Sequence, residues 1–343
     1  MKNGVKRLLF SALLIVFVSA CGASPATSAS PTASVPLSPS PSPSPTATPE
    51  LAAGAPAWVS VSVASGWRSP QASRAVDAPA LQNPANIRAW LTGMSSADKV
   101  GLIGRLDTQA LLGEEVLVLQ ITGEWAQVAV RDQPSPLDVR GYPVWIPVRQ
   151  LTASPPPRSD TSVVVTAPTA WLRSGATSLE VSFGTWLPLL GRQGGADVVG
   201  VPGGSRMSID AQSVGTAPVA GSGSAIVAGA RTFLGLPYLW GGTSGFGYDC
   251  TGLVYLIFKA HGITVPRDSD PQSRAGVAVS RADLQPGDLI FFSAHGTAYH
   301  VAIYSGAGMV IDSPSPGYPV EEVALALMPN VADLSAQRRF LTR

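Results

Sequence analysis

Gly247-Tyr248-Asp249-Cys250-Thr251-Gly252, continued by Leu253-Val254-Tyr255-Leu256-Ile257-Phe258-Lys259-Ala260 and stopped by Gly262, is the stretch that decides the fold. The segment after Gly252 is almost wholly apolar and reads as a buried helix, with Cys250 at its start. A thiol at a helix N-terminus faces the positive end of the helix dipole, which favours the nucleophilic thiolate. The backbone N–H there has no helical partner and is free to stabilise an oxyanion. A lone cysteine can equally be an inert buried residue, so the reading turns on finding a base.

The chain holds three histidines. His261 precedes Gly262 at the helix end, where a capping role is expected. His295 sits in the hairpin-like Ser293-Ala294-His295-Gly296-Thr297 and is expected to be solvated. His300 begins the apolar strand His300-Val301-Ala302-Ile303-Tyr304, which can hold its ring rigidly against a cleft, so His300 is the expected base. Asp312 ends the next strand, Met309-Val310-Ile311-Asp312, and is placed opposite His300 as the group that fixes its tautomer. A strand-end carboxylate can also be a simple turn former.

Around these residues a helix is expected from Ala225 to Phe233, and strands at Asp288 to Phe292, His300 to Tyr304 and Met309 to Asp312. A helix followed by antiparallel strands makes residues 220–343 an α+β domain. Ala220-Gly221-Ser222-Gly223-Ser224 reads as a flexible boundary before it.

N-terminal to that boundary, residues 57–155 and 156–219 carry short strand-like runs broken by Gly and Pro, such as Glu115 to Ile121 and Trp125 to Val130, and later Ser162 to Val165 and Trp186 to Leu190. Each block reads as a small antiparallel barrel, the first with a helical insertion capped by Ser95 or Ser96. Residues 22–56 are mostly Ser, Pro, Thr and Ala, which build no core and favour extended polyproline II, so they read as a tether. Residues 1–21 pair Lys2, Lys6 and Arg7 with an apolar run from Leu8 to Val18 and small residues before Cys21, the pattern of an export signal. Val18-Ser19-Ala20-Cys21 also resembles a bacterial lipobox, which implies lipidation of Cys21 and a lipid-anchored, extracytoplasmic protein facing the cell wall. The other reading is an ordinary signal cut near Ala20.

The net charge of +1 over 343 residues excludes a basic field for nucleic acid. The two cysteines and scattered histidines offer no metal-ligand spacing, and neither metal nor cofactor is expected.

Pro237-Tyr238-Leu239-Trp240-Gly241-Gly242, Asp249-Cys250-Thr251-Gly252, Pro266-Arg267-Asp268-Ser269, Leu284-Gln285-Pro286-Gly287-Asp288-Leu289 and His300-Val301-Ala302-Ile303-Tyr304 together resemble the NlpC-type cell-wall cysteine peptidases. The resemblance implies a papain-like α+β catalytic domain with Cys250 as nucleophile, His300 as base, and Tyr238 with the Cys250 N–H as oxyanion site. Two departures stand out: Thr251 replaces the usual Ser, and Asp312 occupies a third position that is usually His. Thr108-Gln109-Ala110-Leu111-Leu112-Gly113-Glu114 and Gly141-Tyr142-Pro143-Val144-Trp145 are similar to the first bacterial SH3-like domain of one subgroup, the γ-D-glutamyl-L-diamino acid endopeptidases, which carry two such all-β barrels. That subgroup implies cleavage of peptidoglycan stem peptides with a free N-terminal L-Ala; separately, a monomer is expected. It further implies substrate contacts at Asp249, Thr251, Ser269, Tyr142 and Asp107. Tyr142 and Trp145 can instead be plain barrel core. Two rival readings stay open: a wall-binding lipoprotein with a silent peptidase domain, and an endopeptidase acting on glycan-linked stems.

Overall fold

The computed structural model describes residues 50–219 and 221–341; Cys21 and most of the tether lie outside the described residues. Order begins ahead of Ala57, where the sequence places it. Leu51 packs on the core of the first β domain, and the Gly54 N–H donates to the Val118 carbonyl at 2.8 Å.

The first β domain holds β1 (Pro56–Val59), β2 (Val63–Trp67), β3 (Leu106–Leu111), β4 (Glu115–Thr122), β5 (Trp125–Val130), β6 (Tyr142–Pro147) and β7 (Leu151–Thr152). Alternating Val116, Val118, Val128, Val130, Val144 and Ile146 point inward with Ala57 and Val59, as the period of two requires. The hydrogen-bonded order is β3-β2-β6-β5-β4-β1-β7, so the expected barrel is open between β3 and β7. The physical reason lies in β3, whose Gln109 is committed to the catalytic domain: its carbonyl accepts from Thr243 Oγ1 at 2.9 Å, and its side chain from the Thr243 N–H and Ser244 Oγ. Between β2 and β3 lie α1 (Ile87–Gly93) and α2 (Ser96–Val100). Ser95 caps α2 in a reciprocal box with Asp98.

The second β domain repeats the pattern with β8 (Ser162–Val165), β9 (Thr169–Ser174), β10 (Thr177–Ser182), β11 (Trp186–Gln193), β12 (Ala196–Gly200), β13 (Arg206–Asp210) and β14 (Val214–Thr216), again open, in the order β10-β9-β13-β12-β11-β8-β14.

The last domain opens with α3 (Gly223–Arg231), two residues earlier than its apolar pattern suggests, because Ser222 accepts from the Ala225 N–H and caps it. The supposed flexible boundary is therefore partly helix. A Cβ on Gly223 would sit 1.9 Å from the Pro286 carbonyl oxygen, so its lack of a side chain serves close packing. After the hairpin β15 (Thr243–Ser244) and β16 (Gly247–Tyr248) comes α4 (Cys250–Ala260), in which every residue except Cys250 and Lys259 is buried. Then follow α5 (Ser269–Arg274), β17 (Val277–Ala278), β18 (Leu289–Ala294), β19 (Thr297–Gly306), β20 (Met309–Asp312), β21 (Glu321–Ala324) and β22 (Leu334–Arg339). The sheet order is β17-β22-β18-β19-β20-β21, six strands where the apolar runs reveal three. One face packs on α4 through Leu289, Phe291, Val301, Ile303 and Ile311; the other carries a smaller core around Ile290, Phe292, Ala302 and Val310.

The first β domain is locked to α4 by buried charge. Lys259 meets Glu114, and also Asp132 at 2.9 Å, both from turns of that domain. Among the described residues no helix is long and apolar enough to cross a membrane.

Candidate active site

Cys250 stands at the first position of α4 because Asp249 caps the helix. Asp249 has extended backbone angles (φ −87°, ψ 176°), and its Oδ1 accepts from the Gly252 N–H at 2.6 Å. Gly252 is required here: a Cβ would lie 1.9 Å from the Gly242 carbonyl oxygen, within the turn that seats the helix start. Cys250 is half-buried and, among the described residues, forms no disulfide.

His300 is the fourth residue of β19 rather than its first, and it is buried against Phe292 and Tyr299. Its Nε2 lies 2.8 Å from Asp312 Oδ1. The Ile303↔Ile311 register places Asp312 diagonal to His300 and not directly opposite, and diagonal neighbours share a face. Asp312 Oδ1 receives no well-aligned N–H, so the contact is a short ion pair more than a linear hydrogen bond. The Cys250 sulfur is the ring's other partner. Burial disfavours the imidazolium, yet the sulfur and Asp312 together outweigh it and push His300 up to about 10. The ring thus carries a proton at neutral pH between two acceptors.

Tyr238 is buried at the same place. Burial, then the charges of Cys250 and Asp249, push its hydroxyl well up, so it stays a neutral donor. His261 is the C-cap of α4, with Nδ1 3.2 Å from the Val219 carbonyl, and His295 lies at an exposed turn with φ +50°; neither approaches Cys250.

A cleft of about 1130 Å³ opens over Cys250 and His300. The first β domain supplies Arg68, Asp107 and Tyr142 to its wall, and β20, β21 and the loop between them supply Asp312, Tyr318 and Glu321. All the expected catalytic, oxyanion and substrate-binding residues line it, but their bonding differs from expectation. Asp249 is spent: Oδ1 accepts from Gly252, Thr251 and Arg267, and Oδ2 from the Gly241 N–H at 3.0 Å and Arg267 at 2.7 Å. The Thr251 hydroxyl donates to Asp249 and accepts from Arg267, and Ser269 Oγ donates to the Ala298 carbonyl at 2.7 Å. Asp107 is held by a two-pronged Arg68 contact, the shorter arm 2.7 Å.

Two residues in the quoted Pro266-Arg267-Asp268-Ser269 run were given no role and prove central. Arg267 is fully buried and binds Asp249 and Thr251 at the head of α4 while donating to Thr108 Oγ1 at 2.9 Å and the Asp107 carbonyl in the first β domain. One guanidinium therefore joins the nucleophile's helix to the β domain. Asp268 bonds the Tyr142 hydroxyl and forms no ion pair among the described residues. Burial raises its carboxyl, Arg267 pulls it back, and the Asp249 charge raises it again. The signal for both was a pair of adjacent charged residues inside a motif of the catalytic domain, legible as unusual but not as partnered.

Residues 235–329 match the NlpC/P60 family and residues 165–216 match the YKFC SH3b2 domain. The chain is 41% identical over 303 residues to a gamma-D-glutamyl-L-lysine dipeptidyl-peptidase of Bacillus cereus, spanning 83% of this chain and 91% of the relative. It is 39% identical over 285 residues to the enzyme of the same name from Bacillus subtilis, spanning 81% and 96%. The crystal structure of an NlpC/P60 family protein from Bacillus cereus superposes with a TM-score of 0.80 at 38% identity, covering 84% of this chain and all of that one.

Proposed function

This chain belongs to the NlpC/P60 family of cysteine peptidases, and from that premise we propose that it hydrolyses the bond between γ-D-glutamate and the diamino acid of peptidoglycan stem peptides whose L-Ala amine is free. The observation that carries the reading is one cleft in which a thiol, a protonated imidazole and an unpaired carboxylate share a wall with the first β domain.

The Cys250 sulfur attacks the γ-carbonyl carbon. The developing oxyanion is held by the Cys250 N–H and the Tyr238 hydroxyl, both donors before reaction begins. His300 delivers its proton to the leaving amine, and the amine departs as the thioester forms. Neutral His300 then takes a proton from water as it attacks the thioester, which frees L-Ala-D-Glu and restores the pair. Asp312 keeps the ring oriented and charged. Asp268 and the Tyr142 hydroxyl receive the L-Ala ammonium, since Asp249 and Asp107 already hold arginines. Thr251 and Ser269 frame this end of the cleft. A carboxylate facing a free ammonium excludes stems still linked through L-Ala to glycan, because an amide at that position brings no charge and leaves Asp268 uncompensated.

Export and lipid attachment at Cys21 are part of the proposal. They rest on the basic, apolar and small-residue pattern of residues 1–21 and would place the peptidase near the wall that supplies its substrates.

Incubation of the protein with L-Ala-γ-D-Glu-L-Lys and with its N-acetyl form, read by mass spectrometry, tests the reading. Cleavage of the free peptide with loss of most activity on the acetylated one is expected. Equal cleavage of both removes the amine requirement, and cleavage of neither favours a wall-binding role.

A further inference from the structure

The charges along the cleft leave a remainder beyond the amine site. Arg68 neutralises Asp107, Arg267 neutralises Asp249, His300 neutralises Asp312, and Arg231 holds Glu322 through two contacts of 2.7 and 2.9 Å. Asp268 and Glu321 alone among the cleft's carboxylates have no cation within ion-pairing distance among the described residues. Asp268 stands on the wall shared with Tyr142. Glu321 stands on β21, the edge strand of the catalytic sheet, beyond His300 and Asp312 in the order β19-β20-β21.

Its place on that strand is itself informative. Glu321 is directly paired with Asp312 in the β20–β21 ladder, so two carboxylates face each other across adjacent strands. Like charges in that relation are destabilising, and Asp312 is already committed to His300. The neighbouring Glu322 has its arginine, whereas the half-buried Glu321 side chain has neither ion pair nor hydrogen bond among the described residues. The cleft thus keeps two carboxyl groups without a cation partner among the described residues, Asp268 beside Tyr142 and Glu321 on β21.

We propose that Glu321 receives the side-chain ammonium of the diamino acid that leaves, and so selects a lysine-type residue on the far side of the scissile bond. The inference rests on the reading that this cleft cuts γ-D-glutamyl-diamino acid bonds. A substrate with one ammonium at its N-terminus and another at the tip of its leaving residue places a positive charge against each unpaired carboxylate. Among the described residues no unpaired cation lines the β21 wall, so a second carboxylate at the tip, as in diaminopimelate, meets Glu321 without compensation.

The test measures kcat/KM of the full chain on L-Ala-γ-D-Glu-L-Lys, on the same peptide with norleucine, which keeps the carbon chain and lacks the ammonium, and with meso-diaminopimelate. Because Glu321 is only partly buried, a charge contact there supports roughly a three- to tenfold preference for lysine over norleucine. Diaminopimelate is expected to fall below lysine. Glu321→Gln brings the lysine-to-norleucine ratio close to one and raises diaminopimelate relative to lysine. Cleavage of lysine and norleucine peptides at equal rates by the unaltered protein overturns the role of Glu321 while leaving the peptidase assignment standing. An unchanged ratio in Glu321→Gln does the same. Cleavage of none of the three peptides overturns the peptidase reading and this inference with it.

Discussion

Replacing Asp312 by Asn keeps the size of the group beside His300 and removes its charge. Nε2 lies 2.8 Å from Oδ1, which puts the charge centres about 4 Å apart; at an effective dielectric constant of about 20, such charges attract by about 4 kcal/mol. One pH unit corresponds to about 1.4 kcal/mol, and the Asn oxygen still presents an acceptor, so a net displacement of about 1–2 pH units is expected. The direction follows from the sign of the perturbation. His300 is pushed up to about 10, so its active imidazolium is lost only as pH rises through that value, and weakening a partner lowers it. The alkaline limb of kcat/KM should move from near 10 to about 8–9, with activity near neutral pH reduced but present. Stopped assays on L-Ala-γ-D-Glu-L-Lys at constant ionic strength measure this. An alkaline limb that stays in place shows that Asp312 does not act on His300, whatever the loss in rate.

Asp268→Asn should raise KM for the free-amine peptide by about tenfold or more with little change in kcat, the pattern of lost uniform binding. The parent protein should also lose affinity as pH falls through the raised Asp268 carboxyl, a dependence absent from Asp268→Asn; a variant that keeps this acid dependence clears Asp268 of contact with the amine. Glu114→Ala strands the buried Lys259 ammonium with Asp132 alone, and urea denaturation should register a loss of about 3 kcal/mol, the lower end for a broken buried pair. A loss under about 1 kcal/mol would mean that Asp132 suffices to hold Lys259.

The helix of Cys250 and the strand of His300 were legible because each is a dense apolar run that one period explains, and both had to be buried whatever their partners. Asp312 followed from hairpin spacing, though its diagonal offset depends on the bulge between Tyr304 and Gly306. Strands β17 and β21 escaped because they are short edge strands, and β22 (Leu334–Arg339) because it is largely polar and its pattern does not alternate. The pairing of Arg267 with Thr108, across 159 positions, leaves no local trace, and neither does the contact of Lys259 with Glu114. Consequently Asp249, Thr251 and Asp107 read from the sequence as free binding groups. Only the fold shows that arginines already occupy them and that Asp268 and Glu321 remain.

The proposed reaction passes through a covalent γ-glutamyl thioester on Cys250. Rapid quenching of the full chain with L-Ala-γ-D-Glu-L-Lys, followed by intact-mass measurement and peptide mapping, tests it directly. A transient gain of one L-Ala-γ-D-glutamyl group is expected on the peptide containing Cys250, with neither adduct nor turnover in a folded Cys250→Ala protein. Substantial turnover by Cys250→Ala would contradict it.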